Sequence, residues 1–212
     1  MSTAALLEKD RRTQAERTAL SDAKMLSAAV ELICAKGTTR TTLKEVGELA
    51  GYSRGLASHR FGTKDQLFTF IVRSVGELWL KELRLAVRDE VGVRAIGAAV
   101  DAHQAFITQG ANNIRAFYIL WFNSIGPDQG LREVVANIHH RRRRDVENWI
   151  QKAVVNKELS STVDYRGAAQ NFCAAIIGIV YQWLADPENV EHIRELHTIL
   201  KTQTALALGK AH

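Results

Sequence analysis

Between Leu49 and Lys64 the chain carries Arg54, His59 and Arg60, the hydroxyls of Tyr52, Ser53 and Ser58, and no carboxylate. Cations and hydroxyls without an intervening acid suit a polyanion. Duplex DNA carries one negative charge per about 1.7 Å of its axis, so a carboxylate facing it would be repelled. Arg54 is the residue expected to read guanine through a bidentate contact, worth about 1–3 kcal/mol of discrimination. Lys44 and Lys64 are expected to touch phosphates without regard to sequence. The charge distribution agrees: residues 1–64 hold 11 basic and 7 acidic side chains against 17 and 16 in residues 65–212, so most of the net +5 lies in the first third.

A second concentration of chemistry is His139-His140-Arg141-Arg142-Arg143-Arg144-Asp145. Four consecutive arginines sweep about 300° of a helix, so one must turn toward the apolar side. Spacing from Val135, Ile138 and Trp149 singles out Arg142. Pairing with a carboxylate such as Asp145 is the ordinary fate of that side chain; the functional alternative is an anionic effector held by Arg142 or His139. Nearby, the run FYILWF (117–122) puts four aromatic side chains where one helix face cannot hold them all. Phe117 and Trp121 form an i, i+4 pair, and Trp79, His103, Phe106 and Ile125 can join them, as core or cavity lining, in a helical bundle.

Nothing in the chain has the form of a catalytic motif. There is no G-x-S-x-G elbow, no phosphate-cradling glycine loop and no recognisable carboxylate pair, so no catalytic residue, cofactor or enzymatic activity is expected. Clustered His/Cys spacing is missing, so no metal is expected either. Cys34 and Cys173 lie far apart among apolar neighbours and are expected to be buried free thiols in a reducing cytoplasm. The apolar run Ala4–Leu7 is too short for a secretory signal, and the run Phe172–Leu184 too short to span a bilayer.

The elements that must position these groups all have helical periodicity. Leu26, Ala29, Val30, Ile33 and Cys34 recur at three- and four-residue spacing, as do Leu131, Val134, Val135, Ile138, Val146, Trp149, Ile150 and Ala153. An all-α chain is expected, with helices near 14–36, 43–50, 54–61, 64–88, 93–109, 113–125, 129–157, 164–185 and 189–208. Gly37 should stop the first helix, and Thr42-x-x-Glu45 is a capping box opening the second. Both prolines fall between helical segments.

The second and third helices are too short to stand alone and must be braced by the amphipathic helix before them. Joined by a sharp turn at Gly-Tyr-Ser (51–53), they have the plan of a helix-turn-helix. Gly51 can take the positive φ that ends a helix tightly, and Gly47 permits close approach. Ser53 is expected to cap the third helix, with Leu56, Ala57 and Phe61 facing the core and Arg54, Gly55, Ser58, His59 and Arg60 facing outward.

Residues 22–70 resemble the N-terminal DNA-binding domain of the TetR family of bacterial transcriptional regulators. AAVELICAKG, TTLKEVGELAGYSRG and HRFGTKDQLF carry the family's pattern in order and spacing. The resemblance implies a three-helix DNA-binding head joined to a larger helical ligand-binding and dimerisation body. Residues 1–20 would form an arm including Lys9, Arg11, Arg12 and Arg17, residues 21–66 the head, and residues 67–212 the body. It further implies a cytoplasmic homodimer on double-stranded, pseudopalindromic operator DNA, acting as a repressor released by a small-molecule effector. Thr41, Thr42, Lys44 and Lys64 would meet the DNA backbone, and Tyr52, Ser53, Arg54, Gly55, Ser58, His59 and Arg60 would form the recognition surface. Trp79, His103, Phe106, Phe117, Trp121, Ile125 and Arg142 are the expected pocket, and Trp149, Phe172, Ile176, Ile179 and Trp183 the expected dimer interface. The chain departs from the family in having Gly47 for the usual alanine and Ser58 for the common tyrosine.

Overall fold

The computed structural model describes residues 13–109, 111–126 and 129–209, which form helices and turns with no strand among the described residues. The chain divides after Leu67 into two compact units. In the first, α1 (Gln14–Arg40) opens at a capping box in which Thr13 Oγ1 accepts from the Glu16 amide and the Glu16 carboxylate accepts from the Thr13 amide. Residues 14–20 are therefore helix rather than arm; Lys9, Arg11 and Arg12 lie outside the described residues. Gly37 (φ 79°) kinks α1 where the sequence suggested an end, and helical turns resume to Arg40. α2 (Leu43–Leu49) and α3 (Leu56–Phe61) follow, and α4 (Lys64–Val87) begins in this unit. Met25, Ala28, Ala29, Val30 and Ile33 of α1, Val46 of α2, Ala57 and Phe61 of α3 and Leu67 of α4 are buried. They supply the packing that two helices of six and seven residues need.

The second unit contains the rest of α4, then α5 (Gly92–Gln109), α6 (Ala111–Asn123), α7 (Gln129–Val155), α8 (Tyr165–Ala185) and α9 (Val190–Gly209). α5 packs against α6, α7 and α9, and α8 against α7 and α9. One core cluster joins Trp79, Leu83 and Val87 of α4 to Ala95 and Ala99 of α5, with Phe106 and Trp149 packed on it. Phe117, Tyr118 and Leu120 of α6 are wholly buried.

α8 corrects two expectations. Phe172, Ile176, Ile179 and Trp183, assigned above to a dimer interface, are buried within the chain itself. Its outward stripe is Asn171, Ala174, Gly178 and Tyr181, all exposed. The helix, close to the expected 164–185, is also apolar beyond the run Phe172–Leu184: 21 residues, with a mean hydropathy of 1.3 over its most apolar window, make it long and apolar enough to cross a membrane by composition alone. A helix apolar on several faces hides which face is inside, and here Phe172, Ile176, Ile179 and Trp183 turned inward while Ala174, Gly178 and Tyr181 turned outward.

Candidate nucleic-acid interface and ligand cavity

Thr42 caps α2 as its spacing foretold. Its Oγ1 accepts from the Glu45 amide at 3.3 Å and donates to Glu45 Oε2 at 2.6 Å. Lys36 reaches the other carboxylate oxygen at 2.5 Å, and these contacts lower the Glu45 pKa to about 2. Gly51 takes φ 79°, and the Tyr52 amide donates to the Gly47 carbonyl at 2.9 Å, closing the turn. α3 starts two residues later than expected. Gly55 holds the N-cap position without a side-chain bond, and it is the Ser53 carbonyl, not its hydroxyl, that accepts from the Leu56 amide.

The expected contact residues separate into two groups. Thr42, Lys44, Ser53, Arg54, Gly55, Ser58 and His59 are exposed, and Tyr52 is half-buried with Lys24 Nζ 5.8 Å from its ring centre. Among the described residues no carboxylate lies within ion-pair distance of Lys44. Arg54 is 74 % exposed and meets Glu48 at 2.6 Å, a surface pair worth at most about 1 kcal/mol and easily exchanged.

Thr41, Arg60 and Lys64 bond back to α1 instead, Arg60 while remaining exposed. Thr41 is wholly buried and donates to the Gly37 carbonyl at 2.9 Å, across the kink in α1. Arg60 turns back to α1 and grips Asp22 with two parallel bonds, Nε to Oδ1 at 2.7 Å and Nη2 to Oδ2 at 2.6 Å; this pairing raises its pKa. The Lys64 ammonium donates to the Thr38 and Thr39 carbonyls, each at 3.3 Å, at the end of α1. Helix-end carbonyls lack partners of their own and attract a cation.

In the second unit a cavity opens between α4, α5, α7 and α8. About 460 Å³ of empty space, partly open to solvent, lies among its walls, but only about 40 Å³ admits the centre of a water-sized sphere. Trp79 and Leu83 line it from α4, Ala99 and His103 from α5, His139, Arg142, Val146 and Trp149 from α7, and Phe172, Cys173, Ile176 and Ile177 from α8. Of the expected pocket residues, Trp79, His103 and Arg142 are present. Phe106 stacks on Trp79 at 4.5 Å outside the lining, Phe117 and Trp121 are core, and Ile125 is 78 % exposed. Three residues expected at a dimer interface, Trp149, Phe172 and Ile176, face the cavity instead.

Behind the wall runs a chain of buried hydrogen bonds whose direction is fixed at one end. The Ile193 carbonyl can only accept, so His197 Nδ1 donates to it at 2.7 Å. Both imidazoles are held neutral, with their pKa values lowered chiefly by burial. His197 Nε2 therefore accepts from His103 Nδ1 at 2.9 Å, and His103 Nε2 accepts the Tyr118 hydroxyl proton at 3.2 Å. The Tyr118 oxygen in turn accepts from Arg142. Arg142 is turned inward as the helix arithmetic required, yet it is not paired with Asp145: no carboxylate of the described residues lies within 4 Å of it. Its guanidinium carbon sits 5.7 and 5.3 Å from the Trp79 and Trp121 ring centres.

The family model described as bacterial regulatory proteins of the TetR family matches residues 25–69, the span that carries this helix-turn-helix. The regulator TtgR of Pseudomonas putida is 24 % identical over 91 % of this chain and 93 % of its own length. CymR of Pseudomonas putida, also a helix-turn-helix transcriptional regulator, is 28 % identical over 87 % and 90 %. The head of this chain is thus matched by the TetR family's DNA-binding model. In fold, the chain matches SmeT, the repressor of the Stenotrophomonas maltophilia multidrug efflux pump SmeDEF, with a TM-score of 0.73 at 20 % identity, over 90 % of this chain and 91 % of SmeT. SmeT is also known in complex with triclosan.

Within this TetR-family head, the departure at Gly47 has a steric reason. A Cβ there would stand 2.9 Å from the Ser53 carbonyl oxygen, so even alanine requires the turn to shift. Gly47→Val is expected to destabilise the protein by about 1–3 kcal/mol and to weaken DNA binding. Gly55→Ala, whose Cβ meets nothing within 4 Å, should leave the urea-unfolding midpoint unchanged; equal midpoints for both variants would show that the turn does not depend on this contact. What sequence reading missed were the partners, Asp22, Glu48, Tyr118 and His197. Arg60 and Asp22 are 38 positions apart and His103 and His197 are 94 apart, and no local spacing links such pairs.

Proposed function

We propose that this regulator is a repressor that binds a pseudopalindromic operator as a homodimer in the cytoplasm and leaves it when a small molecule occupies the cavity of the body. The observation that carries the reading is the face presented by the turn and α3, where Arg54, Ser58 and His59 stand exposed with Lys44 on the preceding helix. Thr42, Lys44, Tyr52, Ser53, Arg54, Gly55, Ser58 and His59 form the proposed DNA surface; Thr41, Arg60 and Lys64 hold its shape. A two-fold dimer matches the symmetry of such an operator, and the outer stripe of α8, with Tyr181 at its end, is the proposed contact with the second copy. The triclosan complex of SmeT supports a body of this fold taking a small aromatic molecule. An effector acts by its differential affinity for the operator-competent and incompetent states.

The deciding experiment is fluorescence anisotropy against the intergenic DNA flanking the protein's own gene and against a shuffled control, over a salt series. A preference of about a thousandfold or more is expected; equal affinity for both would replace specific regulation with sequence-blind binding. Arg54→Ala should flatten base preference, losing about 1–3 kcal/mol on the native site alone. Lys44→Ala should weaken both DNAs alike and reduce the salt slope by about one. Identical behaviour of the two variants would overturn the division between base and phosphate contacts.

A further inference from the structure

Arg142 is 8 % exposed, lines the cavity, and leaves two donor nitrogens, Nε and Nη2, with no hydrogen-bond partner in the chain. Trp79 Nε1, beside it on the cavity wall, is the third such group. All three are donors. The directed hydrogen bonds from Arg142 through Tyr118 and His103 to His197 leave these donors unmet, so an acceptor that enters the cavity can satisfy them. Burying a cation without a counter-charge is costly, and a core indifferent to ligand would have no reason to keep it.

The two open atoms of Arg142 also define a shape. Nε and Nη2 form one edge of the planar guanidinium, and this same protein shows what that edge takes. At Arg60 the identical pair of atoms holds the two carboxylate oxygens of Asp22 at 2.7 and 2.6 Å, the bidentate geometry that makes such pairs strong. In the cavity that Arg142 lines stand Trp79, Trp149 and Phe172 with aliphatic neighbours, surfaces suited to a flat apolar body. Resting on the reading of the body as an effector domain, we infer that the effector is an aromatic carboxylate, its carboxylate seated on the Nε/Nη2 edge of Arg142 with Trp79 Nε1 as a further donor and its ring among the indoles. Since the closed space of the cavity is only about 40 Å³, the ring must spread its walls as it enters.

The test is direct titration of the full-length protein, without DNA, by isothermal calorimetry with 2-naphthoate and its neutral isostere 2-naphthamide, and with benzoate and decanoate and their amides. The aromatic acids should bind at least about tenfold more tightly than their amides. Arg142→Met should lose about thirtyfold or more of acid affinity and little of amide affinity, and Arg142→Lys, a point charge without the fork, should recover only part of it. Equal affinity of acid and amide on the unaltered protein overturns the inference whether or not the variants fold, as does an acid preference that survives Arg142→Met. An acid preference confined to decanoate removes the ring and leaves the carboxylate. Operator release is measured separately: acids that bind without releasing DNA uphold the ligand class and defeat the effector reading, whereas release by neutral aromatics alone does the reverse.

Discussion

Lowering the pH from 7.5 to 5 is expected to destabilise the helical body by up to about 2 kcal/mol for each buried histidine that stays neutral. His103 is wholly buried and His197 shares its hydrogen bond. Burial lowers both pKa values, and the charge of Arg142 adds to the effect on His103, while the Ile193 carbonyl and Asp101 offset part of it on His197. His139, half-buried beside the arginine run, is lowered for the same reason. A folded-state pKa below the unfolded value of about 6.5 means that between the two the unfolded chain binds the extra proton. This contribution to stability is therefore complete above pH 6.5 and is lost as the pH falls below it, at a limiting slope of about 1.4 kcal/mol per pH unit for each proton. Glu45 and Glu77, both lowered by cationic partners, lose their contributions only below about pH 4.5, whereas Asp145, whose carboxyl burial pushes up, opposes the histidines as the pH falls. Urea unfolding of the wild-type protein and of His103→Gln at half-unit intervals checks this. The variant should be less stable at pH 7.5 yet have a shallower slope; a wild-type midpoint unchanged from 7.5 to 5 would mean that the buried pair accommodates a proton.

How far such features can be read from sequence depends on how local their causes are. The Thr42–Glu45 box and the positive φ at Gly51 were legible because each is decided within four residues. The inward turn of Arg142 followed from counting 100° steps. What it meets did not, because Tyr118 and Trp121 come from another helix and the expected Asp145 faces elsewhere. Thr41, Arg60 and Lys64 match the positions at which the family resemblance places DNA contacts, but a local bond to Gly37 engages Thr41, and the distant partners Asp22 and Thr38 engage Arg60 and Lys64. α8 misled for a different reason: with apolar residues on several faces, its periodicity does not say whether Phe172 and Trp183 or Ala174 and Tyr181 lie inside. The same ambiguity affects the aromatic run of α6, where sequence alone could not separate cavity from core.

Phe117→Ala separates them by experiment and is expected to cost about 3–5 kcal/mol of stability, a large share of the roughly 5–15 kcal/mol that holds a domain together. The Phe117 side chain is wholly buried, with its ring 5.4 Å from that of Trp121. It presses on α4 at Gly76: a Cβ there would lie 3.8 Å from Phe117 Cε2 and 2.9 Å from Ile138 Cδ1. Three helices thus meet at a point where the absence of a side chain on α4 makes room for two large ones, from α6 and α7. Removing the ring leaves a void that Gly76 cannot fill and that Ile138, already in close contact, can fill only by pulling α7 inward. Phe117 does not line the cavity, so aromatic-acid affinity measured well below the unfolding transition should stay within about threefold of wild type. Trp79→Ala, at the cavity wall, should lose most of that affinity along with stability. If Phe117→Ala instead changes acid affinity tenfold while its urea midpoint barely moves, the ligand reaches α6, and the core described here is part of the binding site.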